Sequence, residues 1–371
     1  HIEINYPNGK LNINGVFDFS DKEKPVLDFS ARAKDIQLDK LHLTDKYKNS
    51  YLSLNVNANF EGKTIDGIVG FIEIDSLDFI KGEKNFQLDQ LIITSSVTDK
   101  SRLFTIDSDI LKGEVSGEYT FVSLVKDFKN TLKQYIPALI PDNNIAGKKK
   151  KEEESTHTNN LKYQFEINNT ESLSSILELP VTNLAKANIF GEYNSTLSKF
   201  RLESYIPSIK AAGMNIKSVY LQAENKDEYI QSTLNALVLG KKNVTNDIGL
   251  DIKIENNTVN TKIAFSNDGL QKAKGVFDIS TLFSKEDEKT PLRIDIDINP
   301  SELILNNIKW MMEKSHIAID NETYQVDNLY IHSSHANQEI KVDGRFSLKN
   351  PKEILKAQLK NINLEYIFQT L

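Results

Sequence analysis

The feature that most constrains this chain is a hairpin pattern that returns, with small changes, along its whole length. The clearest copy runs from Tyr324 to Leu348, where apolar residues fill most alternate positions on either side of a polar turn. Such alternation places one side of a strand in an apolar environment and the other side in water. The first half of the pattern recurs in segments that begin at Ile36, Phe86 and Met214. The sequence therefore predicts a β protein built from imperfect repeats.

The second half of the pattern carries a glycine two residues before an aromatic residue. This combination recurs at Gly15 and Phe17, Gly117 and Tyr119, Gly191 and Tyr193, and Gly275 and Phe277. Alternation is strictest from Leu292 to Ile298, where every intervening residue is charged. Each strand is thus predicted to have one apolar face and one polar face.

The number of strands bears on the fold class. Roughly two dozen strands, joined by short polar turns, follow one another along the chain. Such series form closed barrels, stacked domains, propellers or one long curled sheet. A propeller needs blades of even length, and the glycine-aromatic pairs recur too irregularly for that. We therefore predict a mainly β protein: an elongated, curled antiparallel sheet with an open groove (a β-taco) and one or two amphipathic helices.

A change of period at Phe121 predicts an amphipathic helix within this β pattern. Apolar residues follow at helical spacing until Pro137, which places the helix at about residues 121–136. The predicted apolar stripe consists of Val122, Val125, Phe128, Leu132, Tyr135 and Ile136. We expect the stripe to lie on the open face of the neighbouring sheet; the alternative is that the helix plugs a hydrophobic groove. A second, shorter helix is predicted from Glu171 to Leu179.

A run of charged residues divides the chain into two β segments. Four lysines from Lys148 onward are followed by three glutamates and a polar tail. Such a segment cannot offset its ordering entropy, so residues 147–160 are predicted to be a flexible charged linker. The first β-groove segment then spans residues 1–146 and ends in the helix, and the second spans residues 161–371.

The composition excludes several classes of partner. With a net charge of −7, the chain offers no basic surface for nucleic acid, whose binding depends on clustered Lys and Arg. The absence of cysteine excludes disulfides and thiolate chemistry and fits an oxidising compartment such as the bacterial periplasm. No apolar run of about 18 residues is present. We expect the chain to be a segment of a longer protein, with any membrane anchor outside it.

The residues capable of catalysis or metal binding form no recognisable motif. His332 and His335 lie on a predicted strand and turn, where their spacing does not place both side chains on one face. Carboxylate pairs such as Asp295 and Asp297 share a strand face, but solvated carboxylates explain them more simply than acid-base chemistry does. The sequence carries no hydrolase, phosphate-loop or dinucleotide motif. It is therefore predicted to be no enzyme and to have no cofactor and no metal site.

Four segments carry a resemblance to a known family. They are the run from Leu103 to Phe121, the helix end Tyr-Ile-Pro at Tyr135, the segment Ile-Phe-Gly-Glu-Tyr-Asn at Ile189, and the stretch from Trp310 to Gln-Glu-Ile-Lys-Val-Asp-Gly-Arg-Phe-Ser at Gln338. In these segments the chain resembles the TamB (translocation and assembly module) proteins of Bacteroidetes-like bacteria, within the AsmA-like superfamily. Each segment is a β-repeat motif without a catalytic signature.

The resemblance implies a protein anchored in the inner membrane that crosses the periplasm as a U-shaped sheet with a hydrophobic trough. The family is linked to phospholipid transport toward the outer membrane and to outer-membrane protein assembly. The implied partners are a phospholipid or another acyl lipid and an outer-membrane β-barrel assembly protein. The alternating sets predicted to line the trough are Leu11, Ile13, Phe17 and Phe19; Leu52, Leu54 and Val56; Leu250, Ile252 and Ile254; and Leu292, Ile294, Ile296 and Ile298.

Two other functions stay open on the sequence alone. The sheet edge could act as a β-template or chaperone that pairs with an unfolded outer-membrane strand. The repeats could equally form a structural spacer whose apolar rows make an ordinary closed core. A trough requires the rows of successive strands to join into one apolar surface that is left uncovered.

Overall fold

A computed structural model of the chain describes residues 1–40, 47–140, 158–240, 244–270, 272–285, 287, 290–347 and 352–362. The described residues form 24 strands of one antiparallel sheet and two α-helices. The predicted fold class, a mainly β protein built on a long antiparallel sheet with one or two helices, is confirmed.

Contacts divide the chain into two compact units, each described by itself. The first unit comprises His1–Asp127 and Glu154–Asn215, and the second comprises Phe128–Glu153 and Ile216–Leu371. Most of the predicted charged linker, up to residue 157, lies outside the described residues. Its last two residues belong to the folded first unit, because Asn159 is fully buried and Asn160 begins a strand.

The first unit is a meander of neighbouring strands. They are β1 (Ile2–Tyr6), β2 (Gly9–Asp18), β3 (Val26–Gln37), β4 (Ser50–Glu61), β5 (Val69–Lys81), β6 (Lys84–Thr98), β7 (Ser101–Ser108), β8 (Leu111–Glu118), β9 (Asn160–Ile167), β10 (Val181–Asn183), β11 (Ala187–Asn194) and β12 (Lys199–Ala211). Each strand from β1 to β8 pairs with the next, β9 pairs with β11, and β11 pairs with β12. The short β10 pairs with the end of β12. Strand β13 (Met214–Asn225) passes from the first unit into the second.

The second unit departs from this simple order in its middle. Its strands are β14 (Ile230–Leu239), β15 (Thr245–Glu255), β16 (Thr258–Asn267), β17 (Lys274–Ser284), β18 (Arg293–Ile298), β19 (Ser301–Leu305), β20 (Ile308–Met312), β21 (Ser315–Asp320), β22 (Thr323–Ser333), β23 (Gln338–Ser347) and β24 (Leu355–Lys360). Strand β17 pairs with both β18 and β19, and β22 pairs with both β20 and β21. Hairpin β19–β20 therefore lies beside the pair β18–β21. Pro300 separates β18 from β19, since proline has no amide hydrogen for the ladder.

The repeated hairpin pattern contains a β-bulge. In the copy from Tyr324 to Ile331, successive apolar positions are two, three and two residues apart. The register of β22 against β23 shifts between Val326 and Leu329, and Asn328 there has a left-handed φ of 53°. The extra residue keeps the flanking apolar side chains on one face while it bends the strand. The three-residue step in the sequence is thus the signature of a bend.

Two α-helices interrupt the sheet of the described residues. Helix α1 (Phe121–Lys133) lies between β8 and β9, and helix α2 (Glu171–Leu177) lies between β9 and β10. Short 3-10 helices cover Pro137–Leu139 and His335–Asn337. Among the described residues no helix has the length and hydropathy needed to cross a membrane.

Helix α1 ends before Ile136, where the sequence pattern placed its end. The next residues are held in the second unit by tertiary hydrogen bonds. The Tyr135 hydroxyl donates to the Lys226 carbonyl oxygen (3.0 Å) and accepts from the Asn225 side-chain amide (2.7 Å). These bonds fix a buried tyrosine in a position that the helical pattern did not anticipate.

Candidate functional site

The register of the first unit joins the apolar residues of successive strands into one surface, which we name the first apolar face. Directly paired residues of an antiparallel sheet project from the same side. One row of partners crosses the unit from β2 to β12 and defines the face. It consists of Gly15, Phe29, Ala58, Ile72, Ile93, Ile106, Gly113, Phe165, Ile189 and Ser204. No charged residue interrupts this row.

The trough residues predicted on β2 and β4 lie on the first apolar face. They are Leu11, Ile13 and Phe17 on β2 and Leu52, Leu54 and Val56 on β4, joined through Leu27, Ala31, Ala33 and Ile36 of β3. The remaining predicted residue of this unit, Phe19, follows the last residue of β2, and its ring is 62% exposed. The structure thus brings the two predicted sets together across one intervening strand.

A second apolar face is formed in the same way by the second unit. Its defining row runs from β14 to β24 and is apolar except for one threonine. The row consists of Ile230, Ile254, Val259, Thr281, Ile296, Ile317, Val326, Gly344 and Leu355. Register therefore connects strands that lie far apart in the sequence.

The trough residues predicted in the second unit also share a face. Leu250, Ile252 and Ile254 on β15 and Ile294, Ile296 and Ile298 on β18 are linked through partners on β16 and β17. All six side chains are half-buried. Leu292 precedes the first residue of β18, so no strand pairing among the described residues assigns it a side.

Much of the first apolar face is incompletely covered. Ile72, Ile74, Ile93 and Ile106, in the middle of their strands, keep part of their surface in contact with solvent. Phe17 is 42% exposed. In a closed sandwich the inner side chains of two sheets interdigitate and lose nearly all contact with water. The middle of this face is therefore a partly open apolar surface and not the interior of a sealed core.

Glycines on the apolar faces make room for bulky neighbours. A Cβ built on Gly113 would lie 2.2 Å from Cδ1 of Phe165, and one on Gly191 would lie 2.5 Å from the Tyr163 hydroxyl oxygen. Both contacts are far closer than two such atoms can approach. Gly191, which belongs to the repeated pattern, and Gly113, which does not, thus leave room for the aromatic side chain of the neighbouring strand, a packing role that the sequence analysis did not identify.

Helix α2 covers one end of the strands on the first apolar face. Its Ile176 is fully buried and packs with Phe79 and Phe86, which flank the turn between β5 and β6. The Lys84 ammonium donates to the Ser175 carbonyl oxygen (2.7 Å), where the helix dipole favours a positive charge. The helix is thus fastened to this turn by both apolar and polar contacts.

Helix α1 covers the opposite end of the strands. Its Phe121 and Leu124 pack on a buried cluster. The cluster consists of Tyr119, Leu161 and Tyr193, near the end of β8, the start of β9 and the end of β11. Register through β6, β7 and β8 places these strand ends at the far end of β6 from the turn beneath α2. The first apolar face is therefore covered at both strand ends and half-buried between them.

The predicted apolar stripe of α1 is not the side that packs. Two of its members, Val122 and Val125, are 72% and 60% exposed. The buried Asn159 instead donates from its side-chain amide to Ser123 Oγ (2.9 Å) and to the Asp127 carboxylate (2.5 Å). A buried amide must find hydrogen-bond partners, and this network rotates the two valines toward solvent. The expectation that they lie on the sheet is wrong.

A polar cluster of Asp66, Ser95 and Arg102 lies beneath the start of α1. The backbone amides of Phe121 and Val122 donate to the Asp66 carboxylate (2.5 and 3.3 Å). Asp66, in the loop between β4 and β5, therefore satisfies amides that the first turn of a helix leaves unpaired. This carboxylate also places a negative charge at the positive end of the helix dipole.

Arg102 occupies a position on the first apolar face that the sequence analysis overlooked. It is 6% exposed, and it pairs across the sheet with Val97 and Gly117. The alternation of the sequence could have indicated this position, because Arg102 is two residues before Phe104 and four before Ile106 and so shares the side of the strand with these apolar residues. A charged residue in an apolar row breaks the pattern and marks a special position.

Tyr119 lies next to this polar cluster. Burial raises the pKa of its hydroxyl to about 12, and the Asp66 carboxylate adds to the shift while the Arg102 charge opposes it. The hydroxyl donates to the Val115 carbonyl oxygen at 3.3 Å. The phenol therefore stays neutral well above the pH at which an ordinary tyrosine ionises.

The polar side of the second unit carries ion pairs. The Arg293 guanidinium donates to the Asp295 carboxylate from Nε (2.9 Å) and Nη2 (2.7 Å). These hydrogen bonds, with the charge of Arg293, lower the pKa of Asp295. The carboxylate of Asp297 lies 3.0 Å from Nδ1 of His316. Asp295 and Asp297 are thus each bound to a neighbouring side chain on the polar side of the sheet.

The histidines considered for metal binding belong to different elements. His332 lies on β22 with its Nε2 3.0 Å from the Glu313 carboxylate, whereas His335 begins a 3-10 helix. Within the described ranges, no group of three or more His, Asp or Glu side chains is arranged to hold a metal ion. The apolar faces are therefore the strongest candidate functional surfaces.

Comparison with known proteins gives no relative. A scan against protein-family models, a search of curated proteins and a search of solved structures each found no match. The resemblance to TamB proteins stays a prediction from sequence motifs, and function has to be inferred from the geometry of the two apolar faces.

Proposed function

We propose that the chain is a lipid-binding segment of a bridge-like transfer protein, on which acyl chains lie along the apolar faces. The observation that carries this proposal is the uninterrupted row of apolar partners from β2 to β11, whose central members are left half-buried. A protein gains nothing in solubility by exposing such a row. An apolar ligand that covers it would remove the exposed surface from water.

The energetics favour an acyl chain as that ligand. Moving one methylene group from water to an apolar surface gains about 0.8 kcal/mol. A chain of about sixteen carbons would gain roughly 10 kcal/mol before ordering costs, if it were fully covered. Because the row offers similar residues at every strand, no single position would trap the chain. The surface suits a lipid that moves along it.

In the cell we propose the setting that the TamB resemblance implies. The chain would lie in the periplasm, carry phospholipid acyl chains between the inner and outer membranes, and support outer-membrane biogenesis. The absence of cysteine is compatible with that oxidising compartment.

The test places charge on the second apolar face. Ile252→Asp combined with Ile294→Asp puts two carboxylates on the second apolar face in place of half-buried isoleucines, and the cross-strand partners of Ile294 are Phe283 and Ile319. Delipidated wild-type protein should bind a fluorescent fatty-acid analogue with low micromolar or weaker affinity. The double variant should bind at least about tenfold more weakly, which corresponds to about 1.4 kcal/mol.

A matched control adds the same charge to the other side of the sheet. Gln231 and Asn235 on β14 are exposed and alternate with residues of the second apolar face. Gln231→Asp with Asn235→Asp should leave fatty-acid binding unchanged. Circular dichroism should report the same β content for all three proteins. Unchanged binding in the Ile252→Asp, Ile294→Asp variant would contradict the proposal that acyl chains lie on the second apolar face.

A second candidate function is supported by the edge of the sheet. Strand β1 pairs only with β2 among the described residues, and all of its side chains are exposed. An unpaired strand edge can accept another strand, as a template for β-barrel precursors would. A photocrosslinker at Ile4 should then capture a barrel precursor in cells, whereas a lipid carrier without template activity should give no such adduct.

A further inference from the structure

Arg102 is a buried cation on a surface that is otherwise apolar. Its Nη1 donates to Ser95 Oγ (2.9 Å) and to the Ile68 carbonyl oxygen (3.3 Å), and its Nη2 donates to the Asp66 carbonyl oxygen. Its guanidinium carbon lies 5.8 Å from the centre of the Phe121 ring. All of these partners are neutral groups, so they orient the guanidinium but do not neutralise its charge.

A carboxylate of the same polar cluster, that of Asp66, is directed at helix α1 and forms no ion pair with Arg102. The Asp66 carboxylate accepts the amides at the start of α1. Among the described residues no carboxylate forms an ion pair with Arg102, and its Nε donates to no protein acceptor. A buried charge is expensive unless it is paired. The guanidinium therefore has unused hydrogen-bonding capacity and no directly paired anion.

The residue directly opposite Arg102 on the first apolar face is open to solvent. Val97, directly opposite on β6, is 42% exposed. Further along the same two strands, β6 and β7, the paired residues Ile93 and Ile106 belong to the row of apolar partners that crosses the first apolar face. A single molecule with an anionic head and an apolar chain would satisfy both features.

We infer that Arg102 anchors the anionic head group of an acyl amphiphile whose chain lies on the first apolar face. This inference rests on the proposed lipid-binding function and adds selectivity to it. A carboxylate or phosphate oxygen accepts hydrogen bonds from guanidinium in a planar, charge-assisted geometry. An ester or alcohol head carries no charge and leaves the cation unpaired. Arg102 thus selects the head group, while the apolar row holds the chain.

The experiment compares ligands that share one acyl chain. The protein has no cysteine. An environment-sensitive dye can therefore be attached at a single site, Thr98→Cys, in the exposed end of β6 near Arg102. The labelled full chain is titrated with hexadecanoate, methyl hexadecanoate and hexadecyl phosphate at mildly alkaline pH. The two anions should bind about tenfold or more tightly than the ester.

Substitutions then assign the preference. Arg102→Met keeps an unbranched apolar side chain without the charge and should reduce the preference for anions to less than about twofold, with ester binding retained. Arg102→Lys should keep part of the preference, because a point charge remains. The matched control is Arg32→Met, since Arg32 is an exposed arginine on β3 that pairs with Asn12 on the polar side. That variant should behave as wild type.

Each result bears on a different conclusion. If wild-type protein binds ester and anions equally, or if Arg102→Met keeps the anion preference, this inference is overturned while lipid binding stands. If no ligand binds, the proposed function fails with it. Should Arg102→Met not fold, the wild-type ligand series and Arg102→Lys still decide the question.

Discussion

Tyr119 and Arg102 show how single residues give the end of an apolar sheet face a polar character. Tyr119 is buried among Leu161 and Tyr193, and its hydroxyl has the pKa of about 12 that burial produces. Arg102 is held in place by neutral acceptors. A neutral phenol and an unpaired cation thus lie side by side, and each responds differently to pH and to ligand.

Tyr119→Phe tests the titration of the buried phenol. The pKa is about 10 in an unfolded chain and about 12 in the folded protein, so folding favours the protonated form. The stability that depends on this proton is fully present below pH 10 and is lost as the pH rises from about 10 to about 12, by up to about 2–3 kcal/mol. At neutral pH the variant should be about 1 kcal/mol less stable than wild type, for its lost hydrogen bond.

Urea unfolding of wild type and Tyr119→Phe at several pH values measures the effect. The difference in unfolding free energy should shrink above pH 10 and then reverse, because only the wild type loses stability by this titration. A difference that stays constant up to pH 11.5 or beyond would show that the hydroxyl is not shielded from solvent as the structure indicates.

At the scale of single elements, α2 depends on one side chain. Ile176 is fully buried between the helix and the β5–β6 turn. Ile176→Ala should cost about 2–4 kcal/mol of unfolding free energy, because it removes buried methyl groups and leaves a cavity. Leu179→Ala, at a residue that is 46% exposed just beyond the helix, should cost less than about 0.5 kcal/mol. Equal effects in denaturant unfolding would contradict the docking of α2.

The start of α1 depends on a residue from another element. Asp66→Ala removes the acceptor for two backbone amides and should cost about 1–2 kcal/mol. Asp66→Asn keeps an acceptor without the charge and should cost about half as much. Hydrogen exchange of amides 121–124 measures the local effect. If both variants protect these amides as well as wild type does, Asp66 is not the cap.

Helix α1 also illustrates what sequence patterns leave out. Apolar spacing correctly located the helix, but the packed side was set by Asn159 and its bonds to Ser123 and Asp127. Asn159 lies beyond a long intervening segment, so no periodicity within the helix could reveal the contact. The pattern therefore placed the element well and its rotation poorly.

For the whole molecule, alternation within strands was sufficient to predict the fold class and the faces. Ile294, Ile296 and Ile298 share a side because a strand has a period of two. The pairing of β18 with β21 was not predictable from the turns between consecutive strands. It forms because the intervening hairpin β19–β20 lies beside these two strands and not between them. The cover supplied by the helices and the burial of Arg102 likewise depend on contacts between distant segments.

Ligand binding to the folded state should raise the stability of the whole protein. If an acyl ligand covers an apolar face only in the folded chain, a concentration of about 100 times Kd adds about 2.7 kcal/mol to the unfolding free energy. The melting temperature of delipidated protein should rise with hexadecanoate and continue to rise with its concentration. Hexanoate, with too few methylene groups to gain much by burial, should leave the melting temperature unchanged. An equal response to both acids would point to an effect of charge alone.

The nearest-neighbour pairing of β1 to β9 has a consequence for how such a chain can change in evolution. Duplication or deletion of one hairpin in this stretch would preserve every remaining ladder and its inside-outside parity, so strand number could drift without a new fold being invented. Between β17 and β22 the same event would remove pairings between strands that are not consecutive in the sequence, such as β18 with β21 and β20 with β22. Among homologous chains, the number of strands is therefore expected to vary in the stretch from β1 to β9. It is expected to be constant from β17 to β22.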